Sequence, residues 1–126
     1  MKITGFCPLI VTKDPENVMK VFEALGFERR HTKTGIEGGE NTNYSMKDAS
    51  GNRINIASSD QVPQDMTGIT MNVDDFQEAY DLLIAHGFVN PRGDKVTETG
   101  SSKSTMLFAP SGFPITVSHH IKKADR

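Results

Sequence analysis

Apolar and polar residues along this chain form one pattern that is written twice. Residues Ile3 to Thr12 are mostly apolar, which predicts a strand buried on both faces. Val18, Val21, Phe22 and Leu25 then recur at helical spacing behind Asp14 and Pro15, and Gly26 follows them. A side-chain oxygen that can accept from the first free amides, a proline at the first helical position and a glycine after the last turn predict a helix over about 15–25. Phe27 to Lys33, Tyr44 to Lys47 and Arg53 to Ala57 read as three further strands, with Gly35–Glu40 and Ser50-Gly51-Asn52 between them as an exposed loop and a hairpin turn.

After a connector over Ser58–Thr67 the pattern restarts. Ile69, Met71 and Val73 alternate with Thr70 and Asn72, as in a strand with one apolar and one polar face. Asp75 and Glu78 form an acidic capping box, Phe76, Ala79, Leu82 and Leu83 make the apolar stripe of a second helix, and His86-Gly87 closes it. Lys95 to Thr99, Thr105 to Ala109 and Pro114 to Ser118 complete the second set of strands, with Gly100-Ser101-Ser102-Lys103 turning the first pair. The two passages keep a constant spacing of 61 residues: Asp14 falls on Asp75, Phe22 on Leu83, Gly26 on Gly87, Phe27 on Phe88, and Ser50-Gly51 on Ser111-Gly112. Caps, turns and apolar faces recurring at one shift identify an internal repeat. The expected fold is α+β, a single domain over residues 1–126, built from two βαβββ modules at about 1–58 and 66–120.

Composition changes this picture little. The 14 basic and 16 acidic residues give a formal charge of -2 without long runs of one sign, so neither nucleic acid nor a membrane surface is an expected partner. A single cysteine, Cys7, precludes an intramolecular disulfide, and neither a leader peptide nor an apolar run of membrane length is apparent; cytoplasm is the expected compartment.

Candidate chemistry is sparse. His119 and His120 are consecutive strand residues, which face opposite ways and share an ion poorly. His31 follows Arg29 and Arg30 in a charged strand and reads as a solvated edge, His86 reads as a helix cap, and Cys7 has no neighbouring cation in sequence to activate its thiol. Alternation instead predicts a polar row on one sheet face: Cys7, Leu9, Arg53, Asn55, Thr70, Asn72, Thr116 and Ser118, with Tyr44, Met106 and Phe108 as possible neighbours. Of these, Cys7, Arg53, Asn55, Thr70, Asn72 and Thr116 are the candidate ligand-binding residues.

The doubled βαβββ unit, the Val/Thr-x-Asp before each helix, the Gly-Phe after it and the Ser-Gly-x-x-Ile-x-[Ile/Val] hairpin near the end of each half resemble the vicinal oxygen chelate superfamily. That superfamily includes glyoxalase I, extradiol dioxygenases, fosfomycin-resistance thiol transferases and bleomycin-resistance proteins. The resemblance implies a homodimer and, in metal-dependent members, a ligand from the first and the last strand of each half. Carried onto this sequence, those positions are Cys7, Asn55, Gly68 and Thr116. An amide, a hydroxyl and a hydrogen do not hold a hard divalent ion, and only Cys7 suits a softer one. The expectation is a cofactor-free, metal-free protein that binds a small molecule, as bleomycin-resistance relatives sequester theirs. The alternative is a glyoxalase-like lyase or ring-cleaving dioxygenase with an unusual metal site.

Overall fold

The computed structural model describes residues 1–36, 41–60, 62–98 and 102–120, without the side chains of 31–42. It contains β1 (Ile3–Thr12), α1 (Pro15–Ala24), β2 (Glu28–Ile36), β3 (Asn41–Lys47), β4 (Arg53–Ser58), β5 (Met66–Val73), α2 (Phe76–Ala85), β6 (Thr97–Glu98), β7 (Ser102–Phe108) and β8 (Pro114–His120). The chain falls into two compact units, one of Cys7–Gly68 and one formed by Met1–Phe6 with the residues from Ile69 onward.

In the first unit the strand order is β2-β3-β4-β1, the meander β2-β3-β4 being antiparallel and β1 lying parallel to β4. The second unit repeats the order as β6-β7-β8-β5, with β5 parallel to β8. The repeat extends to register. Leu9 pairs with Asn55 and Ser45 with Asn55 in one unit, while Thr70 pairs with Thr116 and Met106 with Thr116 in the other. Every one of these residues is displaced by the spacing that separates Asp14 from Asp75.

The helices begin and end as their sequences require. Asp14 and Asp75 accept from the backbone N–H groups of Asn17 and Glu78, each three residues on, and Pro15 occupies the first turn of α1. At the other end Gly26 N–H donates to Glu23 and Phe27 N–H to Phe22, and Gly87 N–H donates to Ile84 and Phe88 N–H to Leu83 in the same geometry. These paired bonds satisfy the last free carbonyls by the Schellman arrangement, which puts the glycine at positive φ, +106° for Gly26 and +94° for Gly87. His86 is the cap residue of α2, and its ring Nδ1 lies 2.9 Å from the Leu82 carbonyl, so it acts as a cap, as the sequence suggested.

Each unit packs its helix against one face of its sheet. Met19 of α1 is enclosed with Met46, Ile54 and Ile56 of β3 and β4, and Phe76, Ala79 and Leu83 of α2 are enclosed with Met71, Val73, Leu107 and Val117. In the first unit Arg29 at the start of β2 ties the outer side of α1 through Glu16 at 2.6 Å and Glu23 at 3.0 Å.

Three features of the strands differ from the sequence reading. β5 begins at Met66, three residues before the apolar alternation. Lys95 and Val96 are not in a strand: an Asn90–Asp94 turn leaves a single bridge between Val89 and Phe108, and pairing resumes only at Thr97 and Glu98. Ser102 and Lys103, expected in a turn, begin β7, where they lie opposite His120 and His119 of β8 in the ladder. The expected loop Gly35–Glu40 is shortened by β2, which continues to Ile36, and residues 37–40 lie outside the described residues, as do Thr99, Gly100 and Ser101 and the loose tail expected from Ile121.

The β3–β4 turn carries a pH dependence. Asp48 Oδ1 accepts from the backbone N–H of Ser50 at 3.0 Å and of Asn52 at 2.8 Å, and its other oxygen accepts from the Asn52 side chain at 2.9 Å. The Asn52 amide foremost, with these backbone donors, holds the Asp48 carboxyl below its ordinary range, and Arg29 does the same for Glu16. A depressed folded-state value means that the unfolded chain takes up the proton first. The contribution is therefore complete above the ordinary carboxylate range and is lost as pH falls through the lower folded value. Urea midpoints should be flat from neutral pH down to about 5 and then fall. The gap between wild type and Asp48→Ala should be present at neutral pH and close in strong acid.

Candidate functional site

Opposite the helix, the central strands of each sheet present the polar row. In the first unit β1 and β4 run parallel with Leu9 beside Asn55, so Cys7 and Arg53, two residues earlier on each strand, share that face. Cys7 is half-buried, Asn55 is half-buried and Arg53 is exposed, while Leu9, Val11 and Ala57 on the same face are buried. Burial raises the Cys7 thiol above its ordinary range and the positive charge of Arg53 opposes this. A thiol so placed ionises less readily than a free one and is the weaker nucleophile for it.

In the second unit Thr70, Asn72, Thr116 and Ser118 occupy the corresponding face, Thr70 beside Thr116 and Asn72 beside Ser118. The first three are half-buried and Ser118 is buried. Met106 and Phe108 stand on this face, because Leu107 between them enters the helix-side core and Met106 is the cross-strand partner of Thr116. Asn72 carries an unusual feature: its side-chain oxygen is buried without a hydrogen-bond partner among the described residues. Gly5 lies against the same residue, close enough that a side chain there would meet the Asn72 Cβ at 3.3 Å. A buried carbonyl left unpaired costs about 1–3 kcal/mol, which a donor brought to this face would offset.

Tyr44 does not join the polar row. It pairs with Ile56 and packs into the helix-side core of the first unit, and Ser45 takes the place beside Asn55. The hairpin explains this: the turn closes with Lys47 opposite Arg53, so residues of even number on β3 fall on the face of Ile54 and Ile56. His119 is half-buried and His120 exposed at the end of β8, and the side chain of His31 lies outside the described residues.

The four positions that the resemblance assigns to metal ligands offer a thiol from Cys7, an amide from Asn55, nothing from Gly68 and a hydroxyl from Thr116. Among the described residues no three His, Cys, Asp or Glu side chains gather closely enough to hold an ion. This donor set does not fit a divalent cation, which gains its binding energy from carboxylates, imidazoles or thiolates.

Sequence reasoning missed a polar network in the second unit. Asn90 is buried, donating to Tyr80 Oη at 3.2 Å and to the Lys95 carbonyl at 2.9 Å, and it accepts from the Arg92 backbone N–H at 3.0 Å. The Arg92 guanidinium reaches Thr97 at 3.3 Å and Thr105 at 3.4 Å. An Asn-Pro-x-Gly turn signal was legible in the sequence; that its asparagine turns inward to a tyrosine of the helix was not.

No protein-family model matches the chain, and no curated protein matches it in sequence. Solved structures do. A methylmalonyl-CoA epimerase is similar at a TM-score of 0.63 and 15% identity, over 91% of this chain and 93% of that one. A glyoxalase/bleomycin resistance protein/dioxygenase superfamily member from Vibrio splendidus 12B01 matches at 0.57 and 14% identity, over 94% of this chain and 99% of that one. A variant of glyoxalase I from Zea mays matches at 0.63 and 15% identity, over 94% of this chain and 43% of that longer one. Two βαβββ units repeated in register, together with these likenesses, establish that the chain has the α+β fold of the glyoxalase/bleomycin resistance/dioxygenase, or vicinal oxygen chelate, superfamily.

Proposed function

We propose that this protein binds a small organic molecule on the polar face of its sheets without a divalent metal. The observation that carries the reading is the chemistry of that face. The first unit presents Cys7, Arg53 and Asn55 and the second presents Thr70, Asn72 and Thr116, six side chains of which five hydrogen-bond well and none is a carboxylate or an imidazole. The unpartnered Asn72 oxygen supports a ligand that brings an N–H or O–H donor. Arg53, an exposed guanidinium, suits a carboxylate or another planar anion. Sequestration of a metabolite or antibiotic, by a homodimer in the cytoplasm, is the cellular role that accords with this chemistry.

Elemental analysis of purified protein, and titration with zinc, nickel, iron and manganese, should show no stoichiometric tight binding. Native mass spectrometry of fresh protein should report a dimer and any retained organic molecule. Against that molecule Arg53→Ala should weaken binding by about ten- to a hundredfold, the loss of a hydrogen bond to a charged group. Asn55→Ala should cost about three- to tenfold, the loss of a neutral one. One equivalent of co-purified metal whose removal abolishes a lyase or dioxygenase activity would overturn the reading. A monomer at all concentrations would remove the dimer and leave the ligand site standing.

A further inference from the structure

The two units differ most on the helix side of the outer strands. In the first, Met19 is fully buried under α1 and Arg29 seals the helix margin through Glu16 and Glu23. In the second, Tyr80 stands where Met19 does and Asn90 where Arg29 does, so a neutral hydrogen bond from Asn90 to Tyr80 takes the place of the Arg29 ion pairs. The Asn90–Asp94 turn, tied to α2 through the Asn90–Tyr80 hydrogen bond, precedes β6. What results is a cavity of about 440 Å³ lined by Phe76, Gln77, Tyr80, Asp94, Val96, Glu98 and Lys103.

This volume lies in the range of small-molecule sites, and its aromatic side is fixed by packing and hydrogen bonding. Tyr80 is held by the Asn90 amide, which leaves its own hydroxyl proton free to donate, and Asn90 is in turn fixed by Lys95 and Arg92. Phe76 and Tyr80 lie with ring centroids 5.9 Å apart and planes inclined by 30°, forming a continuous aromatic wall with Val96 nearby. The charged lining is two carboxylates against one ammonium. Lys103 Nζ sits 5.3 Å from the Phe76 centroid and 3.4 Å from a Glu98 oxygen, so the wall already holds a cation between an aromatic face and an acid. Asp94 has no ion pair among the described residues.

From this we infer that the cavity is a second binding site, distinct from the polar face, for an organic ammonium or guanidinium ion with an apolar or aromatic body. The body lies along Phe76, Tyr80 and Val96, and the cation stands beside Asp94. Cation and aromatic wall attract through the ring quadrupole, and the acid supplies the remaining charge. An anionic ligand would have to approach two carboxylates and is disfavoured.

The test is an NMR titration of the full chain with 2-phenylethylammonium, using 2-phenylethanol as the uncharged control. Saturable amide shifts are expected around Phe76–Tyr80 and Asp94–Glu98, with the alcohol markedly weaker. Asp94→Asn should weaken the ammonium by roughly two- to fivefold, the effect of one exposed charge contact. Gln77→Trp, at an exposed position on the cavity wall, should abolish the shifts, and Asn55→Ala on the polar face should leave them unchanged. Absence of saturation below about 10 mM overturns the site. Equal affinity of Asp94→Asn and wild type, or equal binding of alcohol and ammonium, overturns the cation. Shifts confined to the polar face around Asn55 and Thr116 assign the ligand to the other site and overturn this one, while leaving the proposed function intact.

Discussion

Leu107→Ala should destabilise the protein by about 2–5 kcal/mol, and Met46→Ala by a similar amount. Leu107 and Met46 are the same position of the repeat, the helix-facing residue one short of the end of the third strand of each module, and neither exposes any surface. Leu107 is enclosed with Val117, Met71, Phe76 and Leu83, and Met46 with Met19, Ile54 and Ile56. Each is held between neighbouring strands that pair on both sides of it or against its helix, so the surroundings cannot collapse into the space that truncation opens. Small domains are stable by only about 5–15 kcal/mol, so either change removes a large share of the total. Urea denaturation followed by circular dichroism checks it through the midpoint. The same truncation at Leu25, the exposed cap residue that follows α1, should destabilise by less than about 0.5 kcal/mol. A Leu107→Ala midpoint no lower than that of Leu25→Ala would show that the helix-side core is not where the structure puts it.

The features legible in the sequence are those decided locally. Asp14 and Asp75 cap the helices because a short acceptor meets a free amide a few bonds away, and Gly26 and Gly87 end them because a left-handed residue is needed there. Repetition at one spacing then doubled the information, since each position on one strand had a second witness. The placement of Asn55 and Thr116 on one kind of face followed from alternation.

What depended on tertiary context was lost. Lys95–Thr99 has the composition of a strand, yet the inward turn of Asn90 toward Tyr80 and Lys95 occupies the backbone that a longer β6 would have paired. Ser102 and Lys103 look like turn residues, but an available partner strand on β8 draws them into the ladder. Tyr44 stood as a possible neighbour of the polar row, whereas its ring belongs to the core of Met19 and Ile56. Counting residues across the Asp48–Asn52 turn would have settled its facing, because the last pair before the turn fixes the parity of the whole strand. The cavity beside α2 could not be read at all: its walls come from a helix, a turn and two strands, and its origin is a difference between modules that are otherwise alike.

That difference between like positions also separates the two helix-ending glycines. Gly87→Ala should destabilise more than Gly26→Ala, although both residues follow equivalent helices and both stand at positive φ. A left-handed conformation costs an L-residue about 1–2 kcal/mol, and this part should be common to the two substitutions. At Gly26 an added methyl group meets nothing within 4 Å, so the backbone term is the whole effect. At Gly87 the methyl would lie 2.9 Å from Pro110 Cγ and 3.7 Å from its Cδ, too close to be accommodated without movement. Pro110 is a ring with little freedom to turn aside, and it begins the turn in which Gly112 donates to Ala109 at 2.8 Å and Ala109 donates to Phe113 at 2.9 Å. Relief therefore requires the β7–β8 turn or the end of α2 to shift, adding about 1–3 kcal/mol as an overpacked contact does. Thermal and urea unfolding of the two variants side by side measures the difference directly, since the shared backbone term cancels. Gly87→Ala should unfold at the lower denaturant concentration, and Gly87→Ala paired with Pro110→Ala should recover part of the loss. Equal destabilisation of the two single variants would mean that Pro110 does not press on Gly87 in solution.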